Sequence, residues 1–198
     1  MCTVSYLPLG ENNFMLTFNR DEDPKRDTIV PKEYVEEGVR LRYPKDKLAG
    51  GTWIGISDKS RLVCLLNGAF DKHMRKPPYK ISRGLVVKHM LKADSVFSEI
   101  KAYDFANIEP FTLIIADWKT ELKLFELVWN GTQKHFRKLS QEARIWSSST
   151  LYNEKERELR RNWFIDWLKK HTPLKSNNQL IESIIAFHRD EKKGKPAI

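Results

Sequence analysis

The sequence predicts an α+β fold, built as a layered sandwich of helices and sheets. Three observations point there. Residues 1–70 hold short apolar, partly β-branched runs divided by turn residues, the pattern of hairpin strands. Residues 111–116 are near-continuously apolar, as in a strand covered on both faces. The last third changes to a helical period, with charges opposite an apolar stripe. Hairpins with helices between and after them argue against a parallel βαβ sheet.

In chain order, residues 3–7 and 13–18 form the first predicted hairpin, with Pro8, Gly10, Asn12 and Asn13 supplying the turn. Gly50 and Gly51 open a second, residues 52–56 and 62–66, turned by Asp58, Lys59 and Ser60 and ending at Asn67-Gly68. A helix is predicted over 82–91, where Leu85, Val86, His89 and Met90 fall at helical spacing. A shorter one runs from Asp94, a suitable N-cap, to about Tyr103. Strand character returns at 111–116 and 122–129, with a turn between. Asn130-Gly131 predicts a type I′ turn into a short strand near 133–137.

Over 154–170, Leu159, Trp163, Phe164, Trp167 and Leu168 share one helical face. Ser176 can cap a final helix that buries Leu180, Ile181, Ile184 and Ile185. The tail from about residue 189 is polar and basic, with Gly194 and Pro196, and is expected to be flexible. With no internal repeat or linker, residues 1–198 read as a single domain.

Of the 198 residues, 40% are hydrophobic and 31% charged, which suits a soluble globular domain with a sizeable core. No apolar run reaches the roughly 18–20 residues of a membrane-spanning helix. Residues 1–10 lack the basic-then-apolar order of a secretory signal. Two cysteines, Cys2 and Cys64, are too few for a disulfide framework, and neither they nor the five histidines show metal-ligand spacing. The expectation is a cytoplasmic protein with reduced thiols and no resident cofactor. A net charge of +9 raises the question of nucleic acid. The basic residues are scattered among acidic ones, however, and their densest group, Lys72, Arg75, Lys76, Lys80 and Arg83, lies in a Pro-containing loop. No nucleic-acid partner is expected.

Cys2 is the residue richest in chemical content. A side chain this small behind Met1 normally permits removal of the methionine. The mature chain then begins on a residue carrying a thiol, titrating near about 8.5, and an α-amine, near about 7.7–8.0. Nucleophile and candidate base arrive together. The amine can take the thiol proton directly or through one water, and the thiolate can attack a carbonyl to give a thioester.

Three further segments give Cys2 a setting: Phe18-Asn19-Arg20-Asp21-Glu22, the run from Gly50-Gly51-Thr52-Trp53 to Ser57, and Leu66-Asn67-Gly68. With Met1-Cys2 they resemble the NRDE family, named for Asn19 to Glu22, whose animal members are called transport and Golgi organisation 2 proteins. The resemblance is dense over residues 1–70 and looser at 110–117 and 146–149. It implies the N-terminal nucleophile (Ntn) hydrolase fold, a four-layer αββα sandwich with a catalytic first residue at a strand end. The same start is similar to the penicillin V acylase and bile-salt hydrolase group, where an Arg and an Asp three apart close the second strand. Here Arg20 can pair with Asp21 or with Asp23.

The resemblance further implies hydrolysis of a non-peptide amide (C–N) bond in a small molecule. Cys2 would be the nucleophile, tuned by Arg20 and Asp21. The Asn67 side chain and the Gly68 N–H would form the oxyanion hole, as the Asn-Gly pair does in glutamine amidotransferases with an N-terminal cysteine. Asn19 and Trp53 would contact substrate. Plainer readings stand beside these: Arg20 with Asp21 or Glu22 suits a salt bridge at a strand end, Asn67-Gly68 suits a turn, and Gly50-Gly51 suits a close backbone approach. Cys64 reads as a small buried hydrophobe, and 147–150 as a polar turn before a helix. A different class of function, haem handling or trafficking by Cys2 or a histidine, is the alternative. Finally, similar chains continue past the last helix into further strands. None follows here, so an open sheet edge and a homo-oligomer are expected.

Overall fold

The computed structural model describes residues 2–10, 12–20, 25–171 and 177–190. The chain forms two compact units, Met1–Asp21 with Glu142–Ile198, and Glu22–Gln141.

The first unit opens with β1 (Thr3–Pro8) and β2 (Phe14–Asn19), paired antiparallel from Thr3↔Asn19 to Pro8↔Phe14. Gly10 and Asn12 take left-handed φ values of 81° and 64° in the reversal, where glycine and asparagine carry the least steric penalty.

The second unit is a seven-stranded antiparallel sheet in sequence order. It begins with a hairpin that was not among the expected elements, β3 (Thr28–Glu36) and β4 (Val39–Asp46). Glu37 and Gly38 both have positive φ, the mark of a type I′ turn. β3 is an edge strand, largely exposed, with Pro31 where its register shifts between Ile29 and Lys32. β5 (Ile54–Ser57) and β6 (Arg61–Asn67) are the expected second hairpin.

α1 (Arg83–Lys92) and α2 (Val96–Ala102) follow, and then β7 (Phe111–Asp117), β8 (Lys123–Trp129) and β9 (Lys134–Leu139). β7 is buried along Phe111 to Ala116, as its composition foretold. Val86, Val87, Met90 and Leu91 of α1 pack with Val63, Leu65, Leu113, Ile115 and Leu127 of the sheet. Arg61, 1% exposed, donates to the carbonyls of Met90 and Ala93 at the end of α1 and pairs with Asp117 at 2.8 Å.

Two local expectations change. The N-cap of α2 is Ser95, whose hydroxyl accepts from the Ser98 N–H, while Asp94 pairs with Lys59. The turn after β8 is a loop over 130–133 rather than a two-residue I′ turn. The Asn130 carboxamide oxygen accepts from the Thr132 and Gln133 amides at 2.9 and 2.7 Å, which closes a wider reversal.

The chain then returns to the first unit. β10 (Arg144–Ser147) pairs with the other edge of β1, Thr3 facing Ser147, so the three-stranded sheet has the order β10-β1-β2. α3 (Glu154–His171) starts at a capping box, Asn153 and Glu156 each bonding the other's amide at 2.8 and 3.0 Å. α4 (Asn177–Arg189) ends the described fold. Ser176, its expected cap, and the tail from residue 191 lie outside the described residues.

Leu7, Phe164, Trp167 and Ile184 form a core cluster of this unit, joined by Met15, Ile145, Leu168, Leu180 and Phe187. The buried faces differ from the expected ones: Arg160 is buried while Leu159 is exposed, and Ile181 and Ile185 are exposed while Ile184 is not. Among the described residues, no helix is long and apolar enough to cross a membrane.

Candidate active site

The register of the three-stranded sheet fixes the geometry around Cys2. Thr3 faces Asn19 on one side and Ser147 on the other, so these three share one face of the sheet. Ser5 lies in the next row with Thr17 and Ile145. Leu7, Met15 and Ile145 pack on α3 and α4, which makes this the helix-facing side. Carried one residue further, the register sets Cys2 opposite Arg20. Alternation turns both of their side chains to the other face. Cys2 is buried and outside any disulfide, and its carbonyl accepts from the Ser148 N–H at 3.0 Å. The structure thus brings Cys2, Asn19 and Arg20 to one end of one sheet. Asp21, Glu22 and Asp23 lie outside the described residues.

Sequence reasoning missed two side chains behind this end. Arg160 of α3 donates from Nη2 to Thr3 Oγ1 at 2.8 Å and from Nε to Ser147 Oγ at 3.0 Å. Its guanidinium carbon lies 4.5 Å from the centre of the Tyr152 ring. Burial pulls the Arg160 pKa below its ordinary value and pushes the Tyr152 phenol up.

His188 of α4 is the second. Ser5 Oγ lies 2.8 Å from its Nε2 and Asn19 Oδ1 lies 3.2 Å from its Nδ1, while Asn19 Nδ2 donates to its carbonyl at 2.7 Å. Burial, and then the charge of Arg160, push the imidazole pKa down to about 4. The ring is therefore neutral near pH 7. One tautomer satisfies both contacts, with the proton on Nδ1 facing Asn19 and Nε2 accepting from Ser5. A signal for both residues was present: Arg160 is four and seven residues before Phe164 and Trp167, and His188 is four after Ile184.

In the second unit, Asn67 ends β6 opposite Phe111. Gly68 takes φ +84°, its N–H donates to the Pro110 carbonyl at 3.0 Å, and its own carbonyl accepts from Thr112 Oγ1. The amide expected as an oxyanion donor is instead engaged, because the left-handed glycine extends the β6–β7 ladder by one bond. Trp53 packs against the core of this unit. Gly51 is a close-approach glycine: a Cβ there would come within 2.7 Å of the Gly84 backbone. The basic loop is anchored rather than loose, since Glu109 pairs with Arg75 at 3.1 Å and with Arg83 and His73 at 3.3 Å. Cys64 is fully buried in β6.

The family profile described as Transport and Golgi organisation 2 matches residues 1–197. The chain belongs to that family. No curated protein sequence matches it. Among solved structures it is similar to a Caenorhabditis elegans orthologue of N-acylethanolamine-hydrolyzing acid amidase, at 14% identity and a TM-score of 0.61, over 92% of this chain and 85% of that one. It is also similar to the conjugated bile acid hydrolase from Clostridium perfringens, seen as two single-residue variants, each at 14% identity and a TM-score of 0.51. There the match covers 89% of this chain and 59% of the hydrolase. These likenesses give the fold class, the four-layer αββα sandwich of the Ntn hydrolases, as the resemblance implied.

Proposed function

We propose that this member of the family is an N-terminal cysteine hydrolase that cleaves a non-peptide amide bond of a small molecule. The observation that carries the reading is that buried Cys2 directly precedes β1 and Arg20 directly follows β2, where Thr3 pairs with Asn19, in a fold shared with an amidase. Removal of Met1 would leave the α-amine on the residue that bears the thiol. The amine takes the thiol proton, and Sγ attacks the substrate carbonyl carbon. The C–N bond then breaks as the amine leaving group accepts that proton. Water hydrolyses the thioester to a carboxylic acid and restores the thiol. Arg20 favours the thiolate by its charge, and the carboxylate of Asp21 or Asp23 orients the amine. Asn67 keeps the oxyanion role on the resemblance alone; loss of one such donor typically costs about 10²–10³ in rate.

The test is an amide panel that includes N-acylethanolamines and conjugated bile acids, run with wild type and Cys2→Ala after the N-terminus is confirmed by mass. Turnover by wild type and none by Cys2→Ala is expected. Equal turnover by both, or retention of Met1 in the active protein, overturns the assignment.

The family's description, transport and Golgi organisation, fits a second reading in which the fold carries a ligand, for which the resemblance suggests haem. Of the described histidines, His188, His89, His73 and His171 are engaged by Asn19 and Ser5, Glu99, Glu109 and the Trp167 carbonyl. His135, whose Nε2 lies 3.3 Å from Asn130 Nδ2, borders an open depression of about 550 Å³ with Tyr103, Phe105 and Trp129, and its imidazole and the Tyr103 phenol are of the types that ligate haem iron. A haem titration on wild type, Cys2→Ala and His135→Ala decides: a saturable Soret shift lost in one variant supports binding, and no shift removes this reading.

A further inference from the structure

We infer that Asn19 and His188 are a positioning pair, through which α4 sets the ends of β1 and β2 that carry Cys2 and Arg20. This rests on the reading of Cys2 as a nucleophile.

The helix-facing side of the three-stranded sheet divides along its length. Away from Cys2 it is apolar, and Leu7, Met15 and Ile145 hold the helices through Phe164, Trp167, Leu180 and Ile184. Toward Cys2 it turns polar: Thr17 and Ser5 stand beside Ile145 in one row, and Asn19, Thr3 and Ser147 make up the last. A buried hydrogen bond is worth about 0.5–1.5 kcal/mol net, while an orphaned polar group costs about 1–3 kcal/mol. A polar layer is therefore a poor way to attach a helix. A closed set of hydrogen bonds does fix direction.

The bonds here are arranged to do that. Asn19 makes two contacts to the same residue, its Oδ1 to the His188 ring and its Nδ2 to the His188 carbonyl, so the carboxamide cannot turn without losing both. The other ring nitrogen holds Ser5. One imidazole thus ties the third residue after Cys2 to the residue before Arg20. An aspartate at position 19 could not donate to the carbonyl, so the amide is chemically required. The carboxamide that the resemblance assigns to substrate is already taken up within the protein.

The test uses the full chain with Met1 removed. It reads alkylation of Cys2 by iodoacetamide against pH, with peptide mapping to separate Cys2 from Cys64, beside thermal unfolding. Wild type is expected to half-titrate below the ordinary thiol value of about 8.5. Asn19→Ala and His188→Phe, measured well below their unfolding midpoints, are expected to slow Cys2 by about tenfold at neutral pH and to move its profile toward that value. The double variant should be no slower than either single one, because the two residues act as a unit. His188→Gln keeps a donor and an acceptor and should recover most of the rate. Leu168→Ala, which removes apolar packing from the same layer, should lower the unfolding temperature and leave the Cys2 profile unchanged.

If Asn19→Ala and His188→Phe behave like Leu168→Ala, the pair is structural and the inference is overturned while the nucleophile reading stands. A wild-type profile at the ordinary thiol value overturns both. Should His188→Phe not fold, Asn19→Ala decides the matter by itself.

Discussion

Acidification tests the environment of His188 directly. Its folded pKa is pushed down to about 4 from an ordinary 6.5, by burial first and Arg160 second. Between those values the unfolded chain binds a proton that the folded chain refuses. Stability is therefore full above pH 6.5, falls as pH drops from 6.5 toward 4, and loses nothing further from this group below that. At about 1.36 kcal/mol for each pH unit of that interval, the loss comes to ~3 kcal/mol. The ring is not fully enclosed, so about 2 kcal/mol is the working figure.

Urea unfolding followed by tryptophan fluorescence, at steps from pH 7.5 to 4.5, measures this for wild type and His188→Asn. The variant should start lower at pH 7.5 by about 1–3 kcal/mol, since Ser5 and Asn19 lose partners. The gap should then close as pH falls. Carboxylates held low do not confuse the comparison: Asp94 beside Lys59, and Asp104 bonded by the Ala106 amide and Lys80, are common to both proteins and lose their contribution at lower pH. A gap that stays constant from pH 7.5 to 4.5 would refute the description of His188 as a neutral, proton-refusing ring.

Further outcomes follow from packing. Gly51→Ala or Gly84→Ala should each lower stability by several kcal/mol, because each added methyl meets backbone at 2.7–2.8 Å; a melting temperature within about 2 °C of wild type would show that the contact yields easily. Arg61→Gln should cost about 3–5 kcal/mol and speed amide exchange at the end of α1, since Asp117 and two helix carbonyls lose their buried partner. Phe164→Ala, removing a ring that is 2% exposed, should cost about 3–5 kcal/mol in urea unfolding. Cys2→Ala should leave the urea midpoint near that of wild type while abolishing turnover in the amide panel.

What was legible in the sequence followed residue type closely. The β1–β2 hairpin was readable because apolar runs flank Pro8, Gly10 and Asn12, and β7 because its strand is buried on both faces. The β3–β4 hairpin was only half marked: Val39, Leu41 and Tyr43 of β4 alternate with Arg40 and Arg42, but β3 is an exposed edge strand whose Lys32 and Glu33 sit beside Pro31. β10 has only the residues Arg144, Ile145, Trp146 and Ser147, and exists by pairing with β1 rather than by its own pattern. Gly68 shows the limit of reading a pair of residues as a motif. Its φ was set by the turn, but where its N–H would go depended on Pro110, which is distant in the sequence.

Arg160 and His188 were missed for a different reason. A helical face is usually assigned by hydrophobicity, and both residues occupy core-facing positions while belonging to the polar set. An apolar residue at either place would suit attachment of α3 and α4 at least as well, since buried ionic and polar groups are commonly replaceable by apolar ones without loss of stability. Among the described residues, they hydrogen-bond to one end of β1 and its two neighbours, at Thr3, Ser147, Ser5 and Asn19. Apolar packing at the far end of the same sheet already holds the helices. Stability therefore accounts for where Leu7, Phe164 and Ile184 sit. It does not account for a polar layer gathered beside Cys2, where fixing direction matters more than strength of attachment.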